Sequence, residues 1–487
     1  MPRRSPSTRI EKDSLGEIAV PAAAYYGAQT ARAVENYPIS GLRAHPFLIR
    51  AYGLLKLACA EANLELKMIP PRIGRAIVRA AHDVAAGKLD GQFVVDVYQA
   101  GAGVSFHMNV NEVIANRAIE YLGGKKGDYS VVHPNDHVNF GQSTNDTFPT
   151  AMRLAALLLL FEQFYPALDE LAAAFRRKAK EFDAIVKSGR THLQDAVPIR
   201  LGQVFAAYAV ALAQARDGIE QSAHTLAALG IGGSAVGTGL NAHPRFSQRV
   251  VARLRKRTGL PLIVADDLVA AMQSQLPMAM VSGALRNLAL ELIRISNDLR
   301  LLSSGPYTGL AEIALPALQP GSSIMPGKIN PVMAELLDMV AFQVIGCDTV
   351  VAMAVQAGQL ELNVMMPAMA WNLLHAIEIL KNTCRVVARK CVAGIAANRE
   401  TCERYAYRTP SIATALNPVI GYSRAAQIVK KALATGKSIP EICLEEKVLT
   451  KKELDRVLDP HRMTRPGLPP KRKAEARSEK PEVRSQN

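Results

Sequence analysis

The stretch Gly321–Glu335 reads GSSIMPGKINPVMAE, and it crowds two hydroxyls (Ser322, Ser323), one ammonium (Lys328), one amide (Asn330) and one carboxylate (Glu335) into a short span. Gly and Pro fix unusual backbone angles, so this is an ordered loop and neither helix nor strand. Such a loop can aim N–H groups, hydroxyls and an ammonium at one small anion. Three further polar loops stand out from an Ala/Leu-rich chain: GAGVSFHMN (Gly101–Asn109), GQSTND (Gly141–Asp146) and SGRTHLQDAVP (Ser188–Pro198). Singly, each has an ordinary explanation. Ser143, Thr144, Asn145 and Asp146 form an N-cap cluster, His192 reads as a structural histidine, and Lys328 as a solvated lysine.

Together these residue types fit one task. Eliminating a β-substituent from a succinate-like molecule requires removal of a weakly acidic C–H beside a carboxylate, which leaves an enediolate. Preorganised donors stabilise that charge, each worth about 3 kcal/mol in an oxyanion site. A serine serves as the base only if the same kind of donor stabilises its alkoxide. The chain has no P-loop, no GxGxxG following a strand and no HExxH, so no cofactor and no metal are expected.

Helices must position these loops. Apolar residues recur at three- and four-residue spacing over Pro46–Leu66 and Arg72–Ala86. NEVIANRA (Asn111–Ala118) reads as a helix start behind a Gly/Ala-rich segment, and His133–Thr150 as a polar loop feeding a long helix. Ala151–Val186, Leu201–Leu229, Val269–Ser303, Pro331–Gln356 and Val364–Ile395 are long and nearly free of Gly and Pro. At 1.5 Å per residue they span roughly 35–50 Å each, which predicts an elongated five-helix bundle. Their apolar residues cover more than one face, so the bundle is expected to oligomerise. Arg9–Pro21 suggests a short hairpin or irregular entry segment. Lys187–Pro198, Gly230–Pro244 and Ser304–Asn330 read as polar connections. The expected class is mainly all-α: an N-terminal domain with substrate-binding loops over 1–149, the central bundle over 150–398, a small C-terminal domain over 399–466, and a basic disordered tail over 467–487.

The chain has 487 residues, enough for two or three domains around a large core. No run of about 18 uncharged apolar residues occurs, so no membrane span is expected, and the basic N-terminus lacks an apolar signal core, which points to a cytoplasmic protein. Six scattered cysteines without a CxxC pair read as reduced, buried thiols. The net charge is +15; eight Lys/Arg against three acids from His461 onward supply a third of it. That tail reads as solvated, and nucleic-acid binding is not the expected role. The remaining positive charge would attract a dicarboxylate weakly.

GSSIMPGKINPVMAE resembles the signature loop of the aspartase/fumarase superfamily, and NEVIANRA, GQSTNDTFPTAM, GRTHLQDAVP and GTGLN (Gly237–Asn241) match that family in order and approximate spacing. The resemblance covers Arg9 to Pro466 and implies a homotetramer with a core of twenty helices, each active site built from three subunits. By motif, Ser322 would be the base that takes the Cβ proton, on a mobile loop. Lys328 and Asn330, with Ser323 beside them, would hold one substrate carboxylate. Ser143, Thr144 and Asn145 would bind the other carboxylate and the leaving group. Thr191 and His192 would lie on the leaving-group side, with His192 paired to Glu335. His133, Asn135 and Asp136 match a secondary carboxylate site of the fumarase branch. The fold has also been reused as a non-catalytic structural protein, and intact Ser322, His192, Lys328 and Asn330 argue against that here.

DAVPIRLGQ (Asp195–Gln203), LRLLSSGP (Leu299–Pro306), LNPVIGY (Leu416–Tyr422) and the stretch from Thr435 to Asp455 look like the aspartase branch, whereas YGAQT (Tyr26–Thr30), VGTGLNAHP (Val236–Pro244) and PGK (Pro326–Lys328) look like class II fumarases. The expected reaction is elimination of ammonia from L-aspartate to give fumarate. The alternatives are hydration of fumarate, or elimination from an N-substituted aspartate or another amino acid. Several departures bear on substrate: Val104 stands where a carboxylate-binding threonine is usual, His107 replaces an asparagine, and Phe106 enlarges the same loop. Tyr307 follows SGP where an arginine is common, and Met366 occupies a position often held by Glu or Lys.

Overall fold

The computed structural model describes residues 7–468, so the tail expected to be disordered lies, apart from Gly467 and Leu468, outside the described residues. The protein is mainly helical. A hairpin of β1 (Thr8–Asp13) and β2 (Gly16–Pro21), paired from Thr8 against Pro21 to Asp13 against Gly16, opens the chain. It is followed by α1 (Ala28–Asn36), α2 (Pro46–Glu65), α3 (Pro71–Ala85), α4 (Val104–Tyr121) and α5 (Thr144–Leu159). A π-helical turn at Leu160–Phe164 leads into α6 (Tyr165–Glu181). Strands β3 (Val186–Thr191) and β4 (Gln194–Arg200) form a second hairpin. After them come α7 (Leu201–Ala223), α8 (Phe246–Thr258), the short α9 (Leu268–Gln273), α10 (Leu276–Leu302), α11 (Val332–Gln356) and α12 (Met366–Lys390). The five long helical runs expected from composition are all present.

The chain divides into two compact units. Among the described residues, unit 1 comprises 7–169, 213–293 and 336–385, and unit 2 comprises 170–212, 294–335 and 386–468. Unit 1 has a core of Leu, Ile, Val and Ala side chains from α2 to α5, including Leu55, Ile77, Ile114 and Leu154, none of them exposed. In unit 2, shorter helices after Asn398 bury Ile412, Leu416, Ile428, Ile442 and Leu454 against one another.

Two local readings differ from the structure. Helix α4 begins at Val104, seven residues before NEVIANRA. Ala102 (φ 59°) and Gly103 (φ 84°) turn the chain left-handed immediately ahead of it. A Cβ on Gly103 would sit 2.2 Å from the Phe148 ring, so only glycine allows this approach. The polar Ser105–Asn109 run masked the start because its side chains are buried rather than solvated. Lys187–Pro198, read as a loop, is instead most of the β3–β4 hairpin. By length and mean hydropathy alone, three helical runs would suffice to span a membrane: Thr144–Glu181, Leu276–Leu302 and Val332–Gln356. None of the three is an uncharged run, yet a span tolerates one or two charges. The apolar window of the first is 78% buried within the chain, and those of the other two are 39% buried.

Candidate active site

In unit 1 the candidate residues gather at the start of α5. Ser143 is its N-cap: its Oγ accepts the Asn145 N–H at 3.2 Å, and Asp146 Oδ1 accepts the Ser143 N–H at 2.9 Å, which closes a reciprocal capping box. The second Asp146 oxygen accepts the N–H groups of Gly232 and Ser234 at 3.0 Å. Asn145 Nδ2 donates to the Ala235 carbonyl at 2.8 Å. The glycine-rich loop leading to Gly237–Asn241 is thereby tied to the helix start. Asp146 is fully buried, and that burial pushes its carboxyl up to about 6 despite the three N–H donors. Ser143, Thr144 and Asn145 remain partly exposed at a helix N-terminus, where N–H groups and the helix dipole favour an anion.

Behind Thr144 lies a network centred on Lys56, which the sequence motifs do not mark. Its Oγ1 is 2.7 Å from His107 Nδ1, and His107 Nε2 is 2.9 Å from Lys56 Nζ. Lys56 also donates to Asn139 Oδ1 and Gln142 Oε1, each at 2.9 Å. The available signal was a single lysine inside the apolar run LLKLACA of α2 (Leu54–Ala60). Phe106, expected to enlarge a substrate loop, and His107, which replaces an asparagine there, are instead on α4 and almost wholly buried. Phe106 packs edge-on against Tyr52 at 5.5 Å, and the His107 ring stacks on Tyr52 at 5.9 Å. Of the altered positions from Val104 to His107 only Val104, 42% exposed, keeps a surface.

His133 caps a short π-helical turn, Pro134–Val138: its Nδ1 accepts the N–H groups of Asn135 and Asp136 at 3.2 Å and lies 3.3 Å from Asp136 Oδ2. The three residues proposed for a secondary carboxylate site are therefore together, with Nε2 left as the free ring nitrogen.

Unit 2 carries the remaining candidates. Thr191 and His192 sit at the tip of the β3–β4 hairpin, where His192 (φ 56°) and Leu193 (φ 58°) are both left-handed, as a two-residue turn of this kind demands. Non-glycine residues hold this conformation at a cost of about 1–2 kcal/mol each. The hairpin is fastened at its base. Glu312, fully buried, meets Lys187 Nζ at 2.9 Å and Arg190 Nη1 at 2.7 Å. Ser411 Oγ donates to the Asp195 carbonyl at 3.0 Å on the opposite strand.

The signature loop is closed on itself. Gly321 N–H donates to the Lys328 carbonyl at 2.9 Å, and Asn330 Nδ2 to the Gly321 carbonyl at 2.6 Å. A Cβ on Gly321 would lie 2.3 Å from the Lys328 carbonyl oxygen, so the closure requires glycine. Within the loop, Ser322 Oγ accepts the N–H groups of Ile324 at 3.2 Å and Met325 at 2.9 Å. Two backbone donors on one serine oxygen are what an alkoxide base requires. The loop borders an open cavity of about 450 Å³ lined by Ser322 and Lys328. Asn330 uses one amide hydrogen for closure and retains one for a ligand. Ser323 and Lys328 are exposed. Among the described residues, neither Lys328 nor His192 forms an ion pair, and His192 is not joined to Glu335, which lies in the first turn of α11. Nor is any group of three or more His, Cys, Asp or Glu side chains there placed to hold a metal ion.

Unit 2 thus holds a serine oxygen cradled by N–H donors beside an unpaired lysine on one loop, and unit 1 holds a polar helix start; the comparisons identify the family. A family model described as Lyase matches residues 16–346, and one described as Fumarase C C-terminus matches residues 412–465. The chain belongs to the aspartase/fumarase superfamily of lyases. It is 50% identical over 460 residues to the aspartate ammonia-lyase of Bacillus subtilis (strain 168), covering 94% of this chain and 97% of that protein. It is 49% identical over 460 residues to the class II fumarate hydratase of Thermus aquaticus, covering 94% of this chain and 98% of that one. A fumarate lyase:delta crystallin from Brucella melitensis, bound to cobalt, superposes with a TM-score of 0.92 at 48% identity, covering 94% of this chain and 100% of that one. The class II fumarase of Schistosoma mansoni does so with a TM-score of 0.90 at 38% identity, covering 94% and 99%.

Proposed function

We propose that this protein is an ammonia-lyase that converts L-aspartate to fumarate and ammonia. The observation that carries the elimination chemistry is the pair of backbone N–H groups on Ser322 Oγ. Ser322, as its alkoxide, takes the Cβ proton. The electron pair moves onto the neighbouring carboxylate to give an enediolate, held by Lys328, Asn330 and Ser323. The pair then returns to form the Cα–Cβ double bond as the C–N bond breaks, and the amine departs with its electrons. Ser143, Thr144 and Asn145 hold the other carboxylate and the leaving group, and Thr191 and His192 face that group. In this reading three copies of the chain supply the three sets of residues within a homotetramer, and the exposed apolar faces of α10 and α11 bind other copies rather than lipid. The reaction belongs to the cytoplasm.

Aspartate is favoured by DAVPIRLGQ, LRLLSSGP and LNPVIGY. The second reading, hydration of fumarate, rests on YGAQT, VGTGLNAHP and PGK and uses the same intermediate with water as leaving group. A larger amine substrate loses support, since Phe106 and His107 face the core. Purified protein offered L-aspartate, L-malate, or fumarate with and without ammonium, while absorbance of the fumarate double bond is followed, decides among them. Turnover of malate with none of aspartate would reverse the assignment.

A further inference from the structure

Lys56 is a buried cation with no carboxylate in contact. It is fully buried on α2, and its three N–H donors all meet neutral acceptors: His107 Nε2, Asn139 Oδ1 and Gln142 Oε1, each at 2.9 Å. Asn111 Nδ2 also approaches His107 Nε2, at 3.3 Å. A charged Lys56 ammonium can only donate, which leaves Nε2 as the acceptor and puts the ring proton on Nδ1. Nδ1 therefore donates to Thr144 Oγ1 at 2.7 Å. With one lone pair occupied by that bond, the Thr144 hydroxyl must send its own hydrogen away from the ring. The stacked Tyr52 ring, inclined by 26°, fixes the imidazole plane.

We propose that Lys56 and His107 are positioning residues that aim the Thr144 hydroxyl hydrogen, backed by the Lys56 charge, at a substrate carboxylate bound at the start of α5. This rests on the reading that Ser143–Asn145 hold a carboxylate. An asparagine at 107 can do the same work, accepting from Lys56 through Oδ1 and donating to Thr144 through Nδ2, whereas a leucine cannot.

The titratable groups facing Lys56 are His107, Cys59 and Asp146. Burial holds His107 well below its ordinary value and therefore neutral, and raises Cys59 well above its own. Burial also brings Lys56 down to about 7. An anion at Thr144 prefers the charged lysine, so dicarboxylate affinity should fall as pH rises through neutrality.

The test uses the full chain as wild type, Lys56→Met, His107→Leu and His107→Asn, each checked for fold by circular dichroism. Succinate, an unreactive dicarboxylate, is titrated by calorimetry on both sides of neutrality, and KM and kcat are measured with whichever of L-aspartate or L-malate turns over. The wild type should bind succinate more weakly as pH rises. His107→Leu should raise the succinate Kd and the substrate KM about tenfold with little change in kcat, and His107→Asn should recover most of that loss. Lys56→Met should weaken binding and flatten the pH dependence. Wild-type protein that fails to bind succinate, or binds it independently of pH, overturns the proposal. So does a His107→Leu affinity equal to wild type, and neither result needs the lysine variant to fold. Succinate binding with the expected pattern but no turnover of either substrate would overturn the elimination reading and leave the relay standing.

Discussion

Arg190 Nη1 lies 2.7 Å from Oε1 of Glu312, a carboxylate with no exposed surface, while Lys187 Nζ lies 2.9 Å from the other oxygen. Both cations belong to β3, so one acid staples the strand whose far end carries Thr191 and the left-handed His192. Removing the acid leaves the buried Lys187 and the partly buried Arg190 without a counter-charge, which costs about 3–5 kcal/mol where the pair is buried. Glu312→Ala should therefore lower the denaturation midpoint sharply and reduce turnover with it. Glu312→Gln, which keeps the volume and one acceptor, should fall between. An unchanged midpoint in Glu312→Ala, read by circular dichroism in urea, would show that the staple carries no weight.

Ser322→Ala removes the proposed base from a loop whose closure runs through Gly321, Lys328 and Asn330 rather than through the serine. Turnover should drop by orders of magnitude while the thermal midpoint barely moves. Near-normal rates of fumarate release would show that another group takes the proton.

Long elements were legible because helix periodicity is a local property. The runs from Ala151 to Ile395 show it in their Ala/Leu content, and the GSSIMPGKIN loop shows its constraint in Gly and Pro. What the sequence hid was tertiary. His107 and Phe106 read as polar or bulky loop residues, yet the left-handed Ala102–Gly103 pair starts α4 just before Val104 and turns both side chains inward. The β3–β4 hairpin was hidden in the same way, because Lys187 and Arg190 look solvated until Glu312, more than a hundred residues later, is brought against them. Lys56 was visible only as a polar residue out of place in an apolar run.

Three buried groups give stability a pH signature. Asp146 is raised to about 6 and Glu112 to about 7, each chiefly by burial, the latter while accepting N–H groups of Gly27, Gln29 and Thr30. Between its unfolded and folded values each carboxyl holds more proton in the folded state, so its contribution to stability falls as pH rises through that window. Lys56, lowered to about 7, behaves oppositely: above pH 7 the unfolded chain holds more proton, and its contribution improves as pH rises towards the ordinary lysine range. The combined contribution of the three should therefore be least near neutrality. Urea midpoints measured from acid to alkaline pH test this, and Lys56→Met should lose the alkaline rise while keeping the acid-side fall.

The apolar stripe on α11 bears on assembly. Met339, Phe342 and Met353 are 60%, 58% and 60% exposed. Their three- and eleven-residue intervals place them on one face of the helix, with Gly346 and the half-exposed Val350 between. A face of this kind left to solvent is costly, at roughly 25 cal/mol per Å² of apolar area, and contiguous patches of this type mark interfaces. Copies of the same chain covering it would bury the stripe and, on the proposed reading, would bring three sets of site residues to one active site. Phe342→Glu places a charge within the stripe, where burial without a partner is strongly unfavourable. Equilibrium sedimentation should show wild type as a tetramer and the variant shifted to smaller species, with turnover falling in parallel because Ser322 would no longer meet the Ser143–Asn145 group of a neighbouring copy. A wild-type protein that sediments as a monomer and still turns over substrate would overturn both the assembly and the three-copy site.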